Sequence, residues 1–586
     1  MRRYRDQILH SAGDLNAFLG CAHAVVLNAR ALDDAALRAR RAVDEGSVKL
    51  TQDAGHAHEA AYRERLDGVV TIAETGSLEG RAAATADAMR AGASVIYQAT
   101  LLDAPQNPVW HGFADFLRRV ETPSALGGWS YEAVDTKLAR SAKPSHVLQL
   151  GLYSDMVAEV QGTRPHAMHV VLGDGREETF RAVEFRHTLD AAKARYLSFV
   201  ADEAATSVAE PCAACTLCAW RDVCAGAWEA ADHLSLVAGL GAPQRAKLRA
   251  AGIDTVAALA ATVPGTRVAK MAPATFERLR DQAAMQVERR LTGEPRAKTL
   301  EVVEGKGFTS LPRPHPADLF FDLEGDPLAP DGSLEYLWGV HYRDDAGNAQ
   351  FHHALAHDRA AERAVFEEMV DWFTAHLAAN PGANIYHYAA YEVTVLRRLS
   401  THYATREEAV DNLLRGEKLV DLYAVTRAGI RTSEPKLSLK ALEVFFAAKR
   451  AEAVVSGDQS IVEYHRWQET GEQAILDDIL AYNRVDCENT EGMRDWLLTL
   501  RPGDIDWWVK EAELAPEKSA ERDAAEAARE ALRQAVRANA TRLSPRGREL
   551  VAHLIDFHAR ADKPAQWAVF DRCEREEEER RLDHGV

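Results

Sequence analysis

Leu319-Phe320-Phe321-Asp322-Leu323-Glu324-Gly325-Asp326-Pro327 sets two carboxylates inside a run that otherwise reads as a buried strand. Side chains alternate along a strand, so Asp322 and Glu324 point one way while Phe321 and Leu323 point the other. Two acids on one face of a core strand repel each other and are costly to desolvate unless a cation lies between them. A hard divalent ion, Mg²⁺ or Mn²⁺, suits such a pair, because it takes carboxylate oxygens and keeps waters for chemistry. The competing reading is a strand end exposed at a turn made by Gly325-Asp326-Pro327.

The chain around this stretch has 586 residues, room for roughly three or four domains. Its 47% hydrophobic and 27% charged residues are those of globular protein. A net charge of −19 excludes a surface that is basic throughout, so a polyanion would have to be met by local grooves or by metal ions. The basic start, Met1-Arg2-Arg3-Tyr4-Arg5, leads into no apolar signal core, and no window reaches the ~18 apolar residues of a membrane span. The expectation is a soluble cytoplasmic protein with no membrane partner. Seven cysteines are too few for a disulfide framework, but Cys212, Cys215, Cys218 and Cys224 crowd together at metal-ligand spacing.

Chemistry-bearing residues also recur in the first third. Asp14 is placed to cap a short helix that ends before Cys21. His58 sits in the helical pattern Gly55–Tyr62, and Asp115 interrupts the strand-like run Trp110–Leu117. In Tyr131–Leu138, Asp135 and Lys137 share a strand face, and Gln149 and Tyr153 share a helix face at i and i+4. Acids of this kind hold a divalent ion that activates water, and the lysine orients that water or offsets the charge developing on phosphorus.

An acid on one strand, Asp-x-Lys on the next, then Gln-x₃-Tyr on a helix resembles the RecB-like nucleases of the PD-(D/E)XK class over roughly residues 10–228. The resemblance implies that His58, Asp115 and Asp135 hold metal, that Lys137 is catalytic with the two aspartates, and that Gln149 and Tyr153 contact the nucleic-acid strand. Iron-sulfur members of this family pin the two ends of the domain together with one early and three late cysteines. Cys21, Cys215, Cys218 and Cys224 then become ligands of a 4Fe-4S cluster. A structural zinc ion is the alternative, and Cys212 could replace Cys21 in a purely local site.

Gly239-Leu240-Gly241, followed by apolar residues at helical spacing, is similar to a helix-hairpin-helix unit, whose Gly239 and Gly241 turn would offer backbone N–H groups to a phosphate. An ordinary helical linker fits the same residues. Leu311-Pro312-Arg313-Pro314-His315-Pro316 cannot continue a helix and marks a boundary.

Beyond it, Tyr388, Glu392, Leu396 and Leu399 have helical spacing, as do Ile475, Ile479, Tyr482 and Asp486, so two more acids stand on apolar faces. Four inward acids and a tyrosine, ordered strand, helix, helix, resemble the DnaQ-like DEDDy exonucleases over about residues 316–500. That resemblance implies two ions about 4 Å apart on Asp322, Glu324, Glu392 and Asp486, with Tyr482 orienting the water. Glu392 departs from the aspartate most of that superfamily has there. Asp421, in Lys418–Tyr423, reads either as a further ligand or as a core-edge residue.

Together the halves resemble RecB-like nucleases that carry a C-terminal RNase H-like exonuclease domain. The expected architecture is multidomain α/β. It comprises a restriction-endonuclease-type core over residues 1–228, a helix-hairpin-helix-like linker over 229–315, an RNase H-like mixed-sheet domain over 316–500 and a helical region over 501–586. In that last region helices are expected over Ala520–Asn539 and Leu543–Arg560, with a solvated charged run from Glu574 to Arg581. No Gly-x₄-Gly-Lys-Ser/Thr loop occurs, so unwinding would need a helicase partner in trans. The expected activity is metal-dependent hydrolysis of DNA, as a 3′→5′ exodeoxyribonuclease with a second centre, in repair, recombination or defence. RNA as substrate and a non-catalytic iron-sulfur binding subunit are the alternatives.

Overall fold

The alternating stretches of the sequence become two sheets in a computed structural model that describes residues 1–5, 7–43, 46–103, 109–203, 207–329, 332–448, 454, 456–509, 516–539 and 543–574. The chain divides into two units, Met1–Glu294 with Leu328–Ser333, and Pro295–Pro327 with Leu334–Val586.

The first unit is built on a mixed sheet. Its described strands are β1 (Arg2–Tyr4), β2 (Gln7–Ser11), β3 (Val69–Thr71), β4 (Val95–Leu102), β5 (Trp110–Val120), β6 (Ser130–Thr136), β7 (Ala167–Val171) and β8 (Glu177–Arg181). They run in the order β1-β2-β5-β6-β7-β8, with β4 also paired to β5 and carrying β3. β5 and β6 are antiparallel, with Phe116 opposite Val134, and this brings Asp115 and Asp135 to neighbouring strands. The helix Pro144–Gln161 packs on that sheet. It starts where Pro144 can occupy the first turn without losing a hydrogen bond and stops at Gly162, whose φ of 70° is the left-handed cap that glycine adopts at least cost. Trp110, Tyr131, Leu150, Met156 and Tyr196 fill the core beneath it.

The first helix runs Ala12–Gly20 and its cap is Ser11 rather than Asp14. Asp14 is three residues inside and accepts from the Ser11 backbone N–H at 2.9 Å, completing a reciprocal capping box. Farther on, a 3₁₀ turn at Leu234–Leu236 precedes Gly239, and the helices Ala242–Ala250, Val256–Ala260 and Pro273–Thr292 follow. They enclose a small core of Leu234, Leu248, Val256, Phe276 and Leu279.

The second unit opens with β9 (Ala297–Thr299). Its main sheet holds β10 (Leu319–Asp326), β11 (Leu334–Arg343), β12 (Ala349–Leu355), β13 (Ile385–His387) and β14 (Leu419–Asp421), and β15 (Ile430–Thr432) pairs back with β9. The sheet order β12-β11-β10-β13-β14 puts β10 in the middle. It is antiparallel to β11 and parallel to β13. β10 runs through Asp326 with an irregularity after Glu324, so the acidic pair belongs to a central strand and not to an exposed strand end. One face of the sheet buries Phe321, Leu323, Trp338, Phe366 and Phe373. The helix Gln473–Leu500 covers the other, where Phe320, Tyr386, Met493 and Leu497 pack together.

Tyr388 falls before the helix Tyr391–Tyr403 and not on it, so its spacing to Glu392 is not a helical stripe. The single helix expected over Leu543–Arg560 is two, Pro545–Leu554 and Phe557–Glu574, preceded by Pro516–Ala538. The last of them docks through Trp567, whose indole N–H donates to Asp411 at 3.3 Å. The charged run beyond Glu574 lies outside the described residues. Among the described residues no helix is long and apolar enough to cross a membrane.

Gly339 on β11 lies directly opposite Asp322, and a Cβ there would overlap the Asn483 side chain of the covering helix. Gly339→Ala is therefore expected to cost about 1–3 kcal/mol through overpacking, read by urea unfolding against wild type.

Candidate active site

β10 and the helix Gln473–Leu500 converge on three acids. Carboxylate oxygens of Asp322, Glu324 and Asp486 all lie within 4.8 Å of one another. Strand parity aims the first two at the helix. Asn483 and Asp486, three residues apart on that helix, face back. The Asn483 amide donates to Asp322 Oδ2 at 2.7 Å. Glu324 is hydrogen-bonded by Tyr336 and Ser460, whose hydroxyls are 2.6 Å apart. The Tyr336 ring stacks on Tyr464 at 3.9 Å between centroids, which fixes the donor.

Burial, then the Asp486 charge, pushes the Asp322 carboxyl well above the usual range. The same two causes push Glu324 to about 8. Three converging carboxylate oxygens are the donor set of a hard divalent cation, which would favour the ionised forms of Asp322 and Glu324. Tyr482 is buried and hydrogen-bonded to Asp486, and burial followed by the neighbouring carboxylates keeps its phenol protonated.

Glu392 stands next to this group but outside it. It is buried, raises the Asp322 carboxyl, and lies 3.4 Å from His387 Nδ1. Burial pulls the His387 imidazole down, but Glu392, Asp421 and the Ala389 carbonyl together leave it above its ordinary value. Asp421 accepts from the backbone N–H groups of Ala389 and Tyr423, both at 2.8 Å, and thus caps the helix that begins at Leu422.

The first unit brings together a second set. Lys137 Nζ is 2.6 Å from Asp135 Oδ2, and Asp135 Oδ1 accepts from Gln149 Nε2 at 3.2 Å. Gln149 also donates to the Tyr153 hydroxyl at 3.1 Å. Asp115 Oδ2 is held by the Thr136 N–H at 2.9 Å and its hydroxyl at 3.0 Å. Burial, then Asp115, drives Asp135 up to about 8. Burial pulls Lys137 down, but Asp135, Asp115 and Glu59 together lift its ammonium above the ordinary value.

His58 and Glu59 are neighbours on the helix Ser47–Arg63, and the structure uses them differently. His58 Nε2 lies 3.4 Å from the Val171 carbonyl. Glu59 is the side chain that senses Asp115, and it accepts from Gln98 at 2.6 Å. Gln98 adopts a left-handed φ of 56°, and the β4–β5 ladder is interrupted there, opposite Asp115. A non-glycine residue in that region stores strain, which is often found beside functional groups.

Cys21, Cys215, Cys218 and Cys224 line one small cavity with Trp220 and Trp228. Cys212 is exposed, with its sulfur 3.8 Å from that of Cys215. Burial, then the neighbouring thiols, pushes Cys224 up to about 11. Thiolates are ligands that suit a soft metal centre. Gly239 has a φ of 70°, and Gly241 caps the helix Ala242–Ala250.

Asn483, Ser460, Tyr336 and Glu59 are the members that sequence reasoning missed. Asn483 sits beside Tyr482 and was within reach of a helical-face argument. Ser460 and Tyr336 meet Glu324 only through tertiary packing.

Residues 319–498 match the model of a family in the RNase H superfamily. The C-terminal half of the chain thus carries an RNase H-like domain, of nuclease type, with its acidic triad inside the matched span. No curated protein matches the chain.

The raised carboxyls set a pH dependence. Glu324 has a folded value near 8 against an unfolded value of about 4.3. Its contribution is therefore fully present below about pH 4.5 and is lost as pH rises through about 8. The melting temperature without metal is expected to fall between about pH 4.5 and about pH 8, and the gain on adding Mn²⁺ to widen over the same interval. In calorimetric titration, Asn483→Ala is expected to weaken Mn²⁺ binding about 10–100-fold.

Proposed function

We propose that the chain is a metal-dependent nuclease with two phosphodiesterase centres, and that its RNase H-like domain is a 3′→5′ exonuclease acting on DNA. The observation that carries the reading is the triad Asp322, Glu324 and Asp486, braced by Asn483 within a span matching the RNase H superfamily. Divalent ions held there, with Glu392 alongside, would supply water activation and stabilisation of the leaving oxygen. The Tyr482 phenol, protonated and tied to Asp486, orients the attacking water by hydrogen bonding. Asn483 keeps Asp322 aimed between strand and helix.

The second centre is RecB-like and spans the segment 1–228. Asp115 and Asp135, with His58 or Glu59, are its metal-holding groups, and Lys137 is the cation facing the charge that develops on the phosphate. Gln149 ties the strand-contacting helix, with Tyr153, to Asp135. Cys21, Cys215, Cys218 and Cys224, gathered around one cavity, are the ligands of a 4Fe-4S cluster that joins the start of the segment to its end. Gly239 and Gly241, in the segment 229–315, hold a backbone phosphate, and unwinding is left to a helicase partner.

Labelled single-stranded DNA and RNA of matched sequence, incubated with Mn²⁺, test the reading. Asp322→Ala with Asp486→Ala is expected to abolish stepwise 3′ shortening, a loss of about 10³-fold or more. Asp115→Ala with Lys137→Ala is expected to remove a separate cleavage. Hydrolysis that survives EDTA would refute the metal mechanism, and faster loss of RNA would reassign the substrate. Anaerobically purified protein is expected to show visible thiolate-to-iron absorption that Cys224→Ser removes, whereas colourless protein containing zinc would replace the cluster.

A further inference from the structure

The helix Tyr391–Tyr403 brings Glu392 up beside the triad, and two buried acids grip that helix. Glu335 on β11 is only 1% exposed. Its Oε2 accepts from the Tyr391 hydroxyl at 2.7 Å, and its Oε1 accepts a guanidinium N–H of Arg398 at 2.5 Å. Tyr391 and Arg398 lie about two turns apart on one face of the helix, so a single carboxylate fixes both its height and its rotation. Glu335 is itself anchored. Its backbone N–H donates to Glu362 Oε1 at 2.8 Å, and Glu362, also buried, accepts from Tyr403 at the far end of the same helix.

Gly325 makes room for this grip. It follows Glu324 at the irregularity of β10 and pairs with Glu335. A Cβ there would come within 2.2 Å of Glu335 Oε2 and 2.5 Å of the Tyr391 hydroxyl. The grip therefore meets the strand one residue beyond an acid of the triad, and the Glu335 charge is among those that raise the Glu324 carboxyl. Placing a fifth acid near Asp322, Glu324, Glu392 and Asp486 adds repulsion, which the Arg398 guanidinium offsets locally. What the acid contributes in return is a fixed helix start. Glu392 follows Tyr391 directly in the chain, and an ion site tolerates ligand displacements of only about 0.5 Å.

We propose that Glu335 is the positioning residue for Glu392, setting through Tyr391 and Arg398 the helix position at which Glu392 joins Asp322 in holding a second divalent ion. The proposal rests on the nuclease reading of the triad.

The test uses the full chain carrying Asp115→Ala and Lys137→Ala, so that Mn²⁺ binding and DNA cleavage report the second unit. Glu335→Gln removes the charge facing Arg398, and Tyr391→Phe removes the hydroxyl while leaving the ring. Mn²⁺ is titrated calorimetrically, and kcat and KM for single-stranded DNA are followed across Mn²⁺ concentrations. Each variant is expected to weaken the second Mn²⁺ about tenfold and to lower kcat at limiting Mn²⁺, with KM unchanged and kcat recovered at saturating Mn²⁺. Beside Glu392→Ala the same changes are expected to have no further effect on Mn²⁺ affinity, because they act through that residue. A lower melting temperature with unchanged Mn²⁺ dependence in both variants, or an effect that persists undiminished beside Glu392→Ala, would overturn the proposal. If Asp322→Ala with Asp486→Ala leaves Mn²⁺ binding and cleavage intact, the nuclease reading of the triad fails on its own. Amide hydrogen exchange of the helix Tyr391–Tyr403 in metal-free protein still decides the grip, which requires faster exchange in both variants.

Discussion

Repulsion among buried carboxylates is the constraint around which the second unit is arranged. Asp322, Glu324 and Asp486 are brought within 4.8 Å by a central strand and a long helix that are both anchored by apolar packing elsewhere. Each acid gains a neutral donor, from Asn483, from Tyr336 with Ser460, or from Tyr482. Neutral donors hold the oxygens in place without cancelling their charge. Three carboxylate oxygens converging on one point are what make the arrangement a candidate ion site.

The first unit treats the same problem differently. Asp135 is fully buried but has Lys137 at 2.6 Å, and Asp115 is held by two donors from one residue, Thr136. A countercharge is already built in, so this cluster needs less from an ion than the triad does. His341, Arg343 and Arg494 around Glu491 give a third pattern, a fully compensated buried acid whose carboxyl lies down near 2. Among these three, the triad is the one in which three acids offer oxygens to one point.

How much of this was legible in the sequence follows from periodicity. The pair Asp322 and Glu324 is readable because strand parity fixes their common face, and Tyr482 with Asp486 because i and i+4 fix theirs. His58 and Glu59 mark the limit of the method. Neighbours on a helix point about 100° apart, and no local signal says which of the two faces the sheet. The split between Leu554 and Phe557 was missed because helix-forming composition runs through it. Asp421 caps its own helix through the local Tyr423 N–H, but its second partner, the Ala389 N–H, comes from a distant segment that no local pattern reveals.

Gly339 and Asn483 bear on how the ion site comes into being. The amide reaches Asp322 only by entering the space a side chain on β11 would otherwise take. Helix and sheet are keyed like a tooth in a notch, so a helix displaced by one turn can neither seat its amide nor deliver Asp486. Ion affinity is consequently an all-or-none report of correct docking, and a half-assembled chain would carry no working blade.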